Sequence, residues 1–290
     1  DFNLSGQDWG LPPLIPEALR ERGHAPFVQV LRASMRHAAA LRIDHVMGLM
    51  RLYWVPHGAT ARDGGYVRYP LDELLAVVAL ESHRNRCMVI GEDLGTVPDA
   101  VREALGRARV LSYRLLYFQR DASGDFIAPS AYPREALVSI GTHDLPTLAG
   151  WWSGHDLRLR DALGLFPDEA SRAQLAHARE HDRLRLLVAL ARDGRLPADA
   201  DVEALARGPL APALVDAVHA WLASSPALLM MVQPEDWLGV VEQCNLPGTV
   251  DEHPNWRRKL PLAVDEFAAD AASERLAAVL AAERGDTRRR

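Results

Sequence analysis

The stretch "LRIDHVMGL", residues 41–49, ends a short apolar run with an arginine and an aspartate two positions apart, followed by a histidine and then a glycine. In a strand, residues two apart share a face. Arg42 and Asp44 therefore point one way, while Leu41 and Ile43 point to the opposite layer. An arginine beside an aspartate favours the ionised carboxylate and fixes its direction. Such a pair reads as a structural salt bridge or as an oriented nucleophile. The same form recurs in "VIGEDLG" (89–95) and "SIGTHDLPT" (139–147), an apolar run, then carboxylates, then a turn. Glu92 lies 92 − 44 = 48 residues after Asp44, and Asp144 lies 144 − 92 = 52 after Glu92. The first interval fits one βα unit with a generous loop, Asp144 stands at a later strand end, and in a parallel barrel all the C-terminal strand ends meet at one rim. Three acidic tips then converge on one pocket. Like charges a few Å apart do not all ionise, so one carboxyl is expected to keep its proton. One ionised and one protonated carboxyl about 5–5.5 Å apart are the pair a retaining glycosidase-type site uses.

Outward from these tips, apolar runs occur at 40–44, 87–91, 110–118, 136–141 and 227–232. Amphipathic segments of helical spacing lie at 26–40, 70–85 and 97–108, the last with Pro98 suited to a first helical turn. Strand and helix in alternation predict βαβ units and a parallel sheet. Residues 156–222 are rich in Ala, Leu and Arg, with helical periodicity and no strand signal, and read as a helical insertion. A further helix is expected over about 263–285. Five strands do not close an eight-stranded barrel. The alternatives are an open sheet or the later part of a barrel; an N-terminus that begins with Asp1 and reads like loop interior favours the second. A barrel part with open sheet edges is expected to depend on a partner for solubility.

The chain has 290 residues, is 48% hydrophobic and carries a net charge of −6, which gives ample apolar material for a core and argues against nucleic acid as the main partner. No apolar run is long enough to span a membrane, and no signal peptide is visible. Cys87 and Cys244 form neither a metal-ligand spacing nor a disulfide framework, so the expected location is the cytoplasm. A metal reading competes at the tips, where Asp44, His45, Glu92, Asp93, His143 and Asp144 are candidate ligands. Neither H-x-H nor H-E-x-x-H occurs, so no metal and no cofactor is expected. Trp9, Trp151, Trp152, Trp237 and Trp256 each stand near a turn residue, where an aromatic often serves as a binding surface.

Six motifs in order carry a resemblance. "GQDWGLPP" (6–13), "RIDHVMGLMRLYWVP" (42–56), "GGYVRYP" (64–70), "GEDLGTVP" (91–98), "GTHDLPTLAGWW" (141–152) and "NLPGTVDEHPNWRRKL" (245–260) together resemble the 4-α-glucanotransferases, the amylomaltases or disproportionating enzymes of glycoside hydrolase family 77. The resemblance runs from about residue 5 to residue 262, the helical stretch excepted. It implies an α/β fold, a partial (β/α)8 barrel holding about strands four to eight, with the first three strands in a missing N-terminal part of the same protein. It also implies transfer of an α-1,4-glucan segment to a glucan, maltose or glucose acceptor by double displacement. In that scheme Asp44 is the nucleophile, Glu92 the general acid and then base, and Asp144 the transition-state stabiliser. Arg42 holds Asp44, His143 bonds the sugar, Trp9 stacks on the acceptor, and Asn245 adds a lesser sugar contact. Trp151, Trp152 and Asn255 are further candidates. The alternatives are an α-glucan hydrolase using the same carboxylates and a non-catalytic glucan-binding scaffold.

Overall fold

A computed structural model of the chain describes residues 10–285. The chain divides into two units. The first runs to Tyr113 and includes Glu135–Leu137; the second comprises Arg114–Arg134 and Val138 onward.

The first unit begins with helices α1 (Pro16–Glu21) and α2 (Ala25–Met35) and then strand β1 (Ala40–Ile43). A hairpin of β2 (Arg51–Trp54) and β3 (Gly65–Arg68) follows, paired antiparallel. Helix α3 (Leu71–Asn85) leads to β4 (Met88–Gly91), and α4 (Asp99–Arg107) to the start of β5 (Ser112–Leu115). α3 has Asp72 and Glu73 in its first turn and Arg84 in its last, charges that complement the helix dipole. β1 and β4 pair in parallel, with Ile43 opposite Gly91. On the other edge of β4, the Leu111 N–H donates to the Val89 carbonyl at 2.9 Å and Leu111 bridges Ile90 in parallel. These are successive βα units, as strand and helix alternation in the sequence predicts. Leu41 and Ile43 pack on a core that includes Val46, Val78, Val89, Val101 and Leu105, while Arg42 and Asp44 alternate onto the opposite, exposed face. Gly91 has a steric reason: a Cβ there would lie 3.0 Å from Val46 Cγ2 and 3.2 Å from Val110 Cγ1, tighter than ordinary packing.

In the second unit, β6 (Ala136–Ser139), whose last residues belong here, pairs with the short β7 (Leu229–Met230), the Met231 N–H donating to the Val138 carbonyl at 2.8 Å. Between them lie α5 (Leu148–Ser153), α6 (His155–Ala162), α7 (Glu169–Arg192), α8 (Val202–Arg207) and α9 (Pro212–Ala223). α10 (Pro234–Trp237) and α11 (Ala271–Arg284) complete the unit. Its buried side chains include Phe126, Leu148, Trp152, Leu186, Leu190, Trp221 and Leu222, with Phe126 edge-on to Trp221. Two expected strands are shorter than their apolar runs: β5 ends at Leu115 in a single 3-10 turn, and only two residues of 227–232 pair as β7. No helix among the described residues is long and apolar enough to cross a membrane.

Candidate functional site

In the first unit, the register of β1 and β4 carries on past their ends. The Glu92 N–H donates to the Ile43 carbonyl at 2.9 Å, and the Val46 N–H donates to the Glu92 carbonyl at 3.0 Å. Asp44 and Glu92 therefore stand at the same end of two neighbouring parallel strands, whose backbones are about 4.8 Å apart. Arg42 Nη1 meets Asp44 Oδ1 at 2.7 Å, and its guanidinium lies 5.5 Å from the Tyr113 ring. The Asp44 side chain is 65% exposed, so this ion pair contributes little stability; what it supplies is direction.

After Asp44 the chain turns sharply. His45 has φ +43°, a left-handed conformation rare for a residue other than glycine, and it aims its N–H back at the neighbouring strand tip. That N–H donates to Glu92 Oε2 at 2.8 Å, and the Leu94 N–H donates to Glu92 Oε1 at 2.8 Å. Both oxygens of Glu92 are thus held by backbone. Asp93 plays a different part. Its carboxylate is buried, accepting from Arg102 Nη1 at 2.6 Å and from the Tyr113 N–H at 2.8 Å. It ties the β4 tip to α4 and the start of β5.

In the second unit, His143 and Asp144 follow β6 on a loop that ends at the cap of α5. Thr147 Oγ1 accepts the Gly150 N–H at 2.9 Å and donates to the Val240 carbonyl at 2.6 Å. Asp236 Oδ1 accepts the Leu148 N–H at 2.7 Å. Gly150 makes this close approach feasible, because a Cβ there would run into the Val241 carbonyl. The loop is therefore gripped by the segment after β7. The same segment supplies Asn245, whose Nδ2 donates to Asp144 Oδ1 at 2.6 Å, while Asp144 Oδ2 lies 3.4 Å from His143 Nε2. The Asn245 N–H donates to the His143 carbonyl at 3.2 Å.

The structure thus groups Arg42, Asp44 and Glu92 in the first unit and His143, Asp144 and Asn245 in the second. Trp9 lies outside the described residues. Trp151 and Trp152 are buried in α5, Trp151 stacked on Tyr117 with centroids 5.3 Å apart, which makes both core residues of the second unit. Asn255 locks its own loop, accepting the Leu246 N–H at 2.8 Å and donating to Thr249 Oγ1 at 2.9 Å. Trp256 is the aromatic that belongs beside the site residues: 63% exposed, held at φ +60°, its ring centroid is 5.0 Å from that of His143. Its place in a turn was legible; its neighbour was not. Asp236 and Thr147, which set the loop, carry no motif that marks them.

A family model described as 4-alpha-glucanotransferase matches residues 1–264. The chain is a member of the 4-alpha-glucanotransferase family. It is 47% identical over 260 residues to the 4-alpha-glucanotransferase of Haemophilus influenzae, covering 89% of this chain and 37% of that protein. It is 39% identical over 287 residues to the enzyme of the same name from Mycobacterium bovis, covering 97% of this chain and 38% of that one. Among solved structures, amylomaltase from Corynebacterium glutamicum matches with a TM-score of 0.88 at 31% identity, over 96% of this chain and 41% of that chain. Amylomaltase from Streptococcus agalactiae in complex with acarbose matches with a TM-score of 0.67 at 19% identity, covering 98% of this chain and 49% of the other, a likeness of fold. The chain thus spans less than half the length of each of these relatives.

Proposed function

We propose that the chain carries the catalytic carboxylates of a 4-α-glucanotransferase, within a partial (β/α)8 barrel of about strands four to eight completed by an N-terminal part of the same protein. Asp44 attacks the anomeric carbon of an α-1,4-glucan and forms a covalent β-glycosyl ester. Glu92 gives its proton to the departing oxygen and then takes one from the incoming 4-hydroxyl of the acceptor. Asp144, held by Asn245, accepts hydrogen bonds from sugar hydroxyls as positive charge develops on the ring. His143 and Trp256 offer a hydrogen bond and an apolar face to the same sugar, and Trp9 a stacking face to the acceptor. The charge that develops is carbocationic and the carboxylates answer it, so the scheme needs no metal or cofactor. Two free thiols, Cys87 and Cys244, agree with a cytoplasmic location.

The observation that carries this reading is the pairing of β1 with β4, which sets Asp44, directed by Arg42, beside Glu92. Transfer is tested by incubating the whole protein with maltotriose. Glucose together with oligomers longer than three units supports it; shortening alone means hydrolysis. Asp44→Asn is expected to abolish turnover while oligosaccharide binding persists, and surviving turnover would remove Asp44 from the nucleophile's role.

A further inference from the structure

The second unit contains a cavity of about 680 Å³ between α5, α8, α9 and α11, a size typical of small-molecule sites. None of Asp44, Glu92, His143, Asp144 or Asn245 lines it. Trp152 and Trp237 do, and their indole N–H groups are already engaged, with the Gly208 carbonyl at 3.0 Å and Ser273 Oγ at 2.9 Å. What they offer the cavity is carbon surface. Val215 adds more.

Two polar side chains on the cavity wall are incompletely satisfied. Asp236 is 1% exposed, and although Oδ1 accepts the Leu148 N–H, Oδ2 has no hydrogen-bond partner among the described residues. Arg183 Nε is buried and also unpartnered; among the described residues Nη1 donates only to the Trp152 carbonyl at 3.1 Å, and no carboxylate pairs with this guanidinium. Arg207 at the rim is 73% exposed and 3.6 Å from Glu203. An unpaired buried donor or acceptor is costly. The site therefore calls for an anion at Arg183, a hydroxyl at Asp236 and a ring with apolar faces between the indoles.

We propose that this cavity, walled by Trp152 and Trp237 and holding the unpartnered Arg183 Nε and Asp236 Oδ2, binds a monosaccharide that bears one anionic group. The anion sits on Arg183 with Arg207 at the entrance, and a ring hydroxyl donates to Asp236. The inference does not rest on the transfer reading. Its occupant would touch the other side of the carboxyl that holds the Leu148 N–H, at the foot of the loop bearing His143 and Asp144.

The test is isothermal titration of the whole protein with glucose 6-phosphate and with glucuronate, which separate a phosphate source from a carboxylate one. Glucose alone and inorganic phosphate are the controls. Submillimolar binding of at least one sugar anion, at least tenfold tighter than either control, is expected. Asp144→Asn should leave that affinity unchanged, which separates the cavity from the carboxylate site. Arg183→Met should weaken it at least tenfold. Should that variant not fold, Arg207→Glu decides, since its exposed side chain can change without loss of core contacts; a several-fold weakening is expected. No binding of either sugar anion at millimolar concentration, equal binding of phosphate alone, or an affinity indifferent to Arg207→Glu would overturn the proposal.

Discussion

Asp236→Asn separates two consequences of one buried carboxyl. Burial pushes the Asp236 carboxyl up from 3.8 to about 7; the Leu148 N–H opposes this and Glu235 adds to it. In the unfolded chain the group titrates near its ordinary value of about 3.9. Below pH 4 both states hold the proton and the group adds no pH dependence. Between about pH 4 and pH 7 the unfolded state gives up its proton while the folded state keeps it, so stability falls as pH rises, by up to about 1.4 kcal/mol per pH unit. Over about three units that is on the order of 4 kcal/mol, complete above pH 7. Asparagine stays neutral throughout, and its carbonyl still accepts the Leu148 N–H. Its amide NH₂, in the place of Oδ2, finds no acceptor, but the protonated carboxyl of the folded wild type has an O–H that finds none either. The two curves should therefore start together and diverge. At pH 4 wild type and variant should be of similar stability, and at pH 8 the variant should be more stable by on the order of 4 kcal/mol. Urea unfolding followed by tryptophan fluorescence at the two pH values reads this directly. Wild type and variant differing by the same amount at pH 4 and pH 8 would refute the reasoning.

Two further outcomes rest on named contacts. Hydrogen bonds from Arg32 and then Arg84 hold the Glu81 carboxyl down at about 2, so its contribution is present in full above about pH 4.5 and is lost as pH falls toward 2. Glu81→Gln should flatten the acid limb of a stability-against-pH curve across that window, and an unchanged limb would contradict the assignment. Asn245→Ala removes the 2.6 Å bond to Asp144, an exposed charge-assisted contact worth about 1.5 kcal/mol, so kcat for maltotriose transfer by the whole protein should fall about tenfold with Tm little changed. An unaltered kcat would mean that Asn245 does not position Asp144.

Much of the first unit was legible because its signals are local. Alternation in "LRID" sets which side chains face the core, and β1 and β4 lie where their apolar runs predict. The hairpin of β2 and β3 was missed, although Leu52 and Trp54 on one strand and Val67 and Tyr69 beside the other alternate with Tyr53 and Arg68 across the loop 55–64. At "GED" the strand period already separates Glu92 from Asp93, and the structure shows the difference: Glu92 at the tip, Asp93 buried under Arg102 and Tyr113. Trp151 and Trp152 read as turn aromatics because of the neighbouring glycines. Yet Gly150 serves close packing and Thr147 caps a helix that buries both indoles. What local pattern does not reveal is long-range grip. The bond from Leu148 to Asp236 spans 88 residues, and that from Asn245 to Asp144 spans 101. No period or spacing in the sequence encodes such pairs.

The central claim is that Asp44 becomes covalently glycosylated. In the whole protein carrying Glu92→Gln, α-maltosyl fluoride should still react, because fluoride leaves without a proton, while the ester persists for want of a base. Mass spectrometry of proteolytic peptides should then find a maltosyl adduct on Asp44. An unmodified Asp44, or an adduct on another carboxylate, would contradict the account.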